Sequence, residues 1–332
     1  MSTLLSAILG TLVATNTPAA ISNFVEKTTG FSVPVRNLND PAARELAMLE
    51  QQDDAAMEEI DRWITDNRRF AAEGAGLSDE ELNRKILARL DVVRRAYEDF
   101  LTRHPDHAEA HVAYASFLAD IGDEEGEVQH LEKAARINPD IPAVWNNLAN
   151  HFGHRGPVKR AFACYEKAIA LNPNEPIYYH NFGTTVYLFR KDAREYFSIN
   201  EQQVFDKAFE LYSNAMRLDP SNFLLASDIA QTYYGIKPLR TNDALLAWTN
   251  AMALASDDIE REGVHIHFAR IKLGIGRFDE ARAHLDAVSN PIYADLKRRL
   301  LRNLNEKEYG TNPPPVEPAK TAVEPPPARG VD

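Results

Sequence analysis

The chain has 332 residues, of which 44% are hydrophobic and 26% are charged, a composition that predicts a folded protein with one or two ordinary cores. Its formal net charge of −12 argues against nucleic acid and anionic membranes as main partners, because both select for a basic face. The single cysteine, Cys164, excludes an intramolecular disulfide.

Residues 1–25 carry no charged side chain, and their apolar residues recur at helical spacing. The run is too short for a transmembrane helix, lacks the basic start of a signal peptide, and lacks the basic polar face of a membrane-surface helix. A signal peptide, a docking helix and a plain extension therefore remain open for residues 1–39. Membrane association is expected only through residues 4–25, and a cytoplasmic location is favoured over an exported or periplasmic one.

Residues 40–107 predict a pair of helices. Asp40 can cap the first helix and Pro41 suits its first position, while Ser78 and Glu81 form the capping-box pattern that opens the second. Between residues 40 and 62 there are eight acidic side chains and two arginines. We interpret them as the solvated face of an amphipathic helix, with the steering of basic partners as the alternative.

Proline recurs at equal intervals, at positions 105, 139 and 173, and again at 220. The clearest unit, 142–175, predicts two helices that each carry one apolar face. The first face consists of Trp145, Leu148, Ala149 and Phe152, and the second of Ala161, Tyr165, Ala168 and Leu171. Gly153, Gly156 and Pro157 are expected to break the helix and form the turn between the two helices. A hairpin of this size cannot bury its own apolar face, so it needs neighbours.

This pattern resembles the tetratricopeptide repeat. The resemblance implies an all-α fold, a right-handed superhelical solenoid of stacked helix-turn-helix hairpins. The expected repeats are 108–141, 142–175, 176–222 with an insertion, 223–261 and 262–290. The 40–107 pair then serves as a degenerate first repeat or cap, and 291–309 as a C-terminal capping helix. The proline-rich residues 310–332 are expected to form a disordered tail.

The third repeat is longer than its neighbours, and its extra residues form an insertion at 189–202. Insertions in repeat proteins tend to emerge on one face, often a binding face. The cationic and aromatic residues of this segment therefore predict an interaction surface, with a longer first helix and an ordinary loop as the alternative. The surface would consist of Arg190, Lys191, Arg194, Tyr196 and Phe197.

The resemblance also implies a concave groove made mainly by the first helices of the repeats. Asparagine amides in such a groove can pair with the backbone of an extended peptide. The residues expected to line it are Asn146, Asn147, Asn150, His180, Asn181, Thr184, Ser227, Gln231 and Arg270. The carboxylate clamp of the family needs Lys and Arg in the groove, and the residues at 177, 180, 227 and 228 do not supply them.

The sequence contains no Gly-rich phosphate loop, GxSxG or HExxH motif. The pairs His151/His154 and His265/His267 lack a third ligand at metal spacing. We therefore predict no catalytic, cofactor or metal site and no small-molecule substrate. The expected function is a non-catalytic scaffold that binds a protein or peptide in the groove. The alternative is an accessory subunit of an enzyme or of an envelope or secretion assembly whose catalytic partner is a separate chain. The oligomeric state stays open.

Overall fold

The computed structural model describes residues 40–310, and no strand occurs within that range. Its 14 α-helices confirm the predicted all-α fold. In chain order they are α1 Pro41–Ala72, α2 Asp79–Arg103, α3 Ala108–Asp120, α4 Glu124–Ile137, α5 Pro142–Arg155, α6 Val158–Leu171, α7 Pro176–Leu188, α8 Arg190–Phe197, α9 Glu201–Leu218, α10 Phe223–Thr232, α11 Thr241–Leu254, α12 Asp258–Gly274, α13 Phe278–Asp286 and α14 Ala294–Tyr309. The predictions for residues 1–39 and 311–332 lie outside the described residues.

The chain divides after Pro220 into two compact units. In the first unit the hairpins are α1–α2, α3–α4, α5–α6 and α7–α9, and the second helix of each packs on the first helix of the next. In the second unit α10 pairs with α11 and α12 with α13, while α14 packs on α12 and α13. No helix among residues 40–310 combines the length and the apolar character that crossing a membrane requires.

The helix starts follow the predicted capping signals. The Asp40 side chain accepts a hydrogen bond from the Ala42 backbone N–H at 3.0 Å, with Pro41 as the first helical residue. Ser78 and Glu81 form the predicted capping box at the start of α2. A further capping box, which we did not predict, joins Asn200 to Gln203 at the start of α9.

The predicted helix break at Gly153 is wrong. Helix α5 continues through Gly153 and ends at Arg155, and Gly156 adopts a φ of 78° immediately before Pro157. Gly153 is buried, and a Cβ there would lie 3.5 Å from Thr185 Cγ2 of α7. The helix therefore continues through this residue, although glycine weakens a helix interior by roughly 1 kcal/mol relative to alanine.

Small residues allow the two helices of a hairpin to approach closely. A Cβ added to Gly183 in α7 would lie 2.9 Å from ring carbons of Tyr212 in α9, a distance that real Cβ atoms do not tolerate. Ala149, which has the same place in α5, is fully buried. Both positions were predicted from the repeat pattern, and their size sets how near the aromatic second helix can come.

We predict that Ala149→Arg will unfold the α5–α6 hairpin, because a buried and unpaired guanidinium costs about 3 kcal/mol or more. Thermal denaturation followed by circular dichroism checks this. Ala163→Arg is the matched control, since Ala163 is an exposed alanine of α6, and it should leave the melting temperature nearly unchanged. Equal melting temperatures for the two variants would show that the Ala149 contact is not needed.

Two histidine pairs link the helices of hairpins α3–α4 and α12–α13. The Nδ1 atoms are 2.8 Å apart in His111–His130 and 2.9 Å apart in His265–His284. One Nδ1 of each pair therefore carries a hydrogen and donates a hydrogen bond to the other. His111 Nε2 lies 3.0 Å from the Pro105 carbonyl oxygen, which makes this nitrogen a donor. In the neutral pair, His130 Nδ1–H therefore donates to His111 Nδ1.

Burial lowers the pKa of all four imidazoles, and with the charge of His111 it brings the pKa of His130 to about 4. Unfolded histidines titrate near 6.5. Below about pH 6.5 the unfolded chain thus binds more protons than the folded chain, and the stability that these groups contribute is lost as the pH falls towards 4.

We expect His130→Asn to keep the donated hydrogen bond. From pH 7 to pH 5 its free energy of unfolding should fall by about 1 kcal/mol less than that of the natural chain. Urea denaturation at both pH values measures the difference. His154→Asn, at an exposed histidine of α5, should behave like the natural chain. Identical pH slopes for all three proteins would contradict this assignment.

Candidate functional site

In three hairpins of the first unit, a tyrosine of the second helix reaches a polar side chain of the first helix. Tyr97 donates to Asp53 Oδ2 at 3.1 Å, and Tyr165 donates to Asn150 Oδ1 at 2.7 Å. The Tyr212 hydroxyl shares a hydrogen bond of 3.1 Å with Thr184. These bonds hold the exposed edge of each first helix in place.

The α3–α4 hairpin lacks this tyrosine. Leu131 stands midway along the chain between Tyr97 and Tyr165, one repeat from each, so it occupies their place in the repeat without a ring or a hydroxyl. The missing volume leaves a cleft of about 570 Å³ bounded by α3, α4 and α5. Leu131 and Ala115 lie beneath it and are 0% and 1% exposed, and the exposed Ala119 of α3 lines it. We call it the Leu131 cleft.

The rim of the Leu131 cleft is polar and combines carboxylates, amides and bases. His151 Nδ1 lies 3.2 Å from Glu127 Oε2, and Arg155 forms an ion pair with Glu124. The Glu127 side chain is 14% exposed, so a carboxylate lies well inside the cleft. The rim residues are Ser116, Asp120, Glu124, Glu127, Asn147, Asn150, His151, His154 and Arg155.

Carboxylates continue from the rim onto α1. Burial, reinforced by the charge of Asp54, raises the pKa of Asp120. Burial also raises the pKa of Asp53 to about 6, and the charges of Asp120, Asp54 and Glu50 raise it further. The hydrogen bond from Tyr97 opposes this shift by lowering the pKa. Asp53 Oδ1 is buried without a hydrogen-bond partner. The carboxylates of this part of the unit therefore repel one another.

The predicted solvated face of α1 is only partly correct. Asp54, Glu58 and Asp61 are exposed. Asp53, in contrast, is half-buried against Tyr97, and Glu59 accepts a hydrogen bond of 2.9 Å from Arg89. The apolar residues of α1 pack on α2, and that packing turns one edge of the acidic face towards neighbouring helices instead of solvent.

The structure separates the predicted groove residues of the first unit into two groups. Asn147 and Asn150 border the Leu131 cleft. Asn146 is 6% exposed; it donates to Asn147 Oδ1 at 3.2 Å and accepts from Asn181 Nδ2 at 3.3 Å. Asn146 and Asn181 therefore connect α5 to α7. Thr184 bonds to the Tyr212 hydroxyl, and the His180 ring lies 6.0 Å from the Tyr212 ring.

The remaining three groove residues belong to the second unit. Ser227 and Gln231 lie one turn apart on α10, with Gln231 Nε2 donating to Ser227 Oγ at 3.4 Å. The Arg270 guanidinium of α12 lies 4.4 Å from the centre of the Tyr234 ring. None of the three borders the Leu131 cleft.

The insertion forms the separate helix α8, not an extension of α7, and its aromatic residues pack inward. Tyr196 and Phe197 lie with ring centres 5.3 and 5.6 Å from that of Phe162 in α6, and Tyr196 donates to Glu166 at 2.8 Å. Both residues are only partly buried, so an interaction surface at the insertion stays a prediction, with part of each ring engaged by Phe162. The exposed cations of the insertion are Lys191 and Arg194.

Arg190 is also engaged within the first unit. Its guanidinium lies 5.6 Å from the centre of the Tyr187 ring and 5.5 Å from that of Phe205, and its Nε lies 3.7 Å from a Glu201 carboxylate oxygen. Arg190, Lys191 and Arg194 line a shallow hollow of about 400 Å³.

Within residues 40–310 no group of three or more His, Cys, Asp or Glu side chains has the geometry of a metal site. The two histidine pairs considered from the sequence have other contacts. His151 bonds to Glu127, and His265 bonds to His284. His267 stacks on Trp248 with ring centres 3.9 Å apart.

The acidic half of the Leu131 cleft was not predicted from the sequence; it consists of Asp120, Glu124 and Glu127. One available signal was the replacement of tyrosine by Leu131 in an otherwise aromatic register. A small residue at 116, where the next repeat has Asn150, points the same way. Together they predict a gap, whereas each alone is unremarkable for a repeat protein.

No protein-family model matches the chain. Among curated proteins, it is similar to the Photosystem I assembly protein Ycf3 of Synechococcus sp. (strain CC9605). The identity is 29% over 125 residues, which cover 35% of this chain and 70% of Ycf3.

Among solved structures, it is similar to MamA, with 20% identity, a TM-score of 0.42, and coverage of 54% of this chain and 95% of MamA. YrrB, a TPR protein with an unusual peptide-binding site, is 13% identical with a TM-score of 0.47, over 65% of this chain and 99% of YrrB. Pseudomonas aeruginosa PilF is 16% identical with a TM-score of 0.48, over 76% of this chain and 98% of PilF.

The hairpins themselves define the class of the protein. Pairs of short helices recur at the spacing of the prolines, small residues lie where the helices approach, and aromatic residues of the second helices fill the hairpins. The described chain is built of tetratricopeptide-type repeats, which confirms the resemblance drawn from its sequence.

We predict that Asp53→Asn will stabilise the protein at neutral pH by about 1 kcal/mol, less than the full pKa shift implies because the site is partly solvated. Unfolded aspartate titrates near 3.9, so between about pH 4 and 6 the folded chain binds more protons, and stability falls as the pH rises through that window. The gain should disappear near pH 4.

Urea denaturation at the two pH values tests this prediction. Asp54→Asn, which removes an exposed carboxylate of the same helix, is the control and should change stability less. A lower stability of Asp53→Asn at neutral pH would show that the ionised carboxylate is well accommodated.

Proposed function

We propose that this chain is a non-catalytic protein-interaction scaffold whose Leu131 cleft receives an extended segment of a partner protein. The observation that carries the proposal is the gap in the tyrosine register, beside which a cleft is lined by polar side chains and the Ala119 methyl. In a concave binding site a few polar groups set the orientation of the ligand.

The amides of the rim can read a peptide backbone. Asn150 uses its oxygen to accept from Tyr165, which fixes the side chain and leaves its Nδ2 to donate to a peptide carbonyl. Asn147 is held in the same way by Asn146, and Ser116 adds an exposed hydroxyl. Because the protein already orders these groups, less conformational entropy is lost when a ligand binds.

A role in assembly fits this proposal. The relative Ycf3 is named an assembly protein, and an assembly factor must hold another protein without changing it chemically. An accessory subunit that presents a partner to a separate catalytic chain would use the same cleft, so the binding activity is common to both roles. The groove residues of the second unit and the hollow beside Lys191 and Arg194 remain predictions of further contact surfaces.

The test selects short peptides from a random display library on the full chain and measures their affinity by calorimetry. Ser116→Trp places a large ring in the cleft from an exposed position, and Leu131→Tyr restores the residue that the other hairpins carry. We expect each change to weaken binding about tenfold or more, while the melting temperature stays within a few degrees.

The control is Ala163→Trp, which adds the same ring at an exposed position of α6 outside the cleft and should bind like the natural chain. Selected peptides that bind Ser116→Trp and Leu131→Tyr as tightly as the natural chain would place the binding site elsewhere and overturn the proposal.

A further inference from the structure

The apolar lining of the Leu131 cleft that a ligand can reach is small. Ala115 and Ala119 follow one another at helical spacing on α3, and Leu131 closes the bottom. Ala115 and Leu131 are only 1% and 0% exposed, so the apolar group that is open to a ligand is the Ala119 methyl beside the polar rim. Lysine and arginine side chains suit this arrangement, because an apolar stem of methylene groups ends in a charged head.

The rim of the Leu131 cleft holds more carboxylates than cations. Arg155 is the cation of the rim and pairs with Glu124. Glu127 bonds through one oxygen to His151, which carries charge only when protonated, and its other oxygen can accept. Asp120 stands beside them at the end of α3, where the negative charge of Asp54 also acts on it. Glu127 and Asp120 together thus lack a permanent positive partner.

The charge of the cleft indicates the chemistry of its occupant. An aromatic side chain would fill the space left by the missing tyrosine but would bury Glu127 further without a counter-charge, which is unfavourable. An acidic side chain would add repulsion. A guanidinium offers two parallel N–H groups that match a carboxylate, and its planar head loses water more readily than an ammonium.

We propose that the partner segment inserts an arginine side chain into the Leu131 cleft, with its stem along Ala119 and its guanidinium between Asp120 and Glu127. This inference rests on the proposed function, since it names the chemistry of the segment that the cleft receives. The amides of Asn147 and Asn150 then bind the backbone on either side of that arginine.

The test uses three capped pentapeptides with alanine at every position except the centre, which is arginine, citrulline or glutamate. Citrulline keeps the length and planar shape of arginine but has no charge, and a carbonyl oxygen in place of one terminal nitrogen leaves it with fewer N–H donors. Binding to the isotope-labelled full chain is followed by nuclear magnetic resonance, up to peptide concentrations of about 10 mM, because a single side-chain anchor gives affinities in the millimolar range.

We expect the arginine peptide to shift the amide signals of Ser116, Ala119 and Glu127 and to bind about fivefold or more tightly than the citrulline peptide. Higher salt should reduce that ratio, since it screens the exposed part of the interaction. Glu127→Gln combined with Asp120→Asn should abolish the preference for arginine. Glu306→Gln, which neutralises an exposed carboxylate of α14, should keep the preference.

Equal binding of the arginine and citrulline peptides in the cleft would overturn this inference and leave the proposed function intact. Tighter binding of the glutamate peptide, or no shift at the cleft with any pentapeptide, would also overturn it. The proposed function has its own test in the library-selected peptides, so it fails only if those peptides ignore Ser116→Trp and Leu131→Tyr.

Discussion

The contact between an aromatic side chain of the second helix and the small residue of the first helix governs both stability and surface chemistry in this protein. Tyr212 lies so close to Gly183 that no Cβ fits between them, and its hydroxyl bonds to the adjacent Thr184. One side chain thus fills the hairpin and fixes a polar residue at the edge of the first helix. Apolar burial supplies most of the stability, whereas the hydroxyl determines which polar groups face a ligand.

Replacing the aromatic residue by Leu131 separates these two effects. Leucine is still fully buried and keeps the α3–α4 hairpin packed, and the His111–His130 bond joins the same two helices at another point. The space and the hydrogen bond that tyrosine would provide are missing, and the cleft occupies that space. The proposed binding site therefore arises from the loss of one ring in a regular array, without an insertion or a change of fold.

The repeat architecture could be predicted because its signals are local and periodic. Proline spacing, capping residues and one apolar face per helix are all readable along the chain, and the structure confirms them. The roles of neighbouring polar residues could not be read in the same way. Asn146 and Asn147 differ by one position, yet a rotation of about 100° around the helix axis makes one a link to Asn181 and the other a rim residue. Likewise, Tyr196 and Phe197 lie on a different helix from Phe162. Their ring contacts with Phe162 therefore could not be read from the sequence.

The gap at Leu131 is the proposed binding place of a partner. The most direct measurement is the crystal structure of the full chain in complex with a library-selected peptide. We expect peptide density along α3 and α5, with one side chain in the Leu131 cleft and the backbone within hydrogen-bond reach of Asn147 or Asn150. A peptide bound elsewhere, for example at the hollow beside Lys191 and Arg194, with the Leu131 cleft filled only by water, would contradict it.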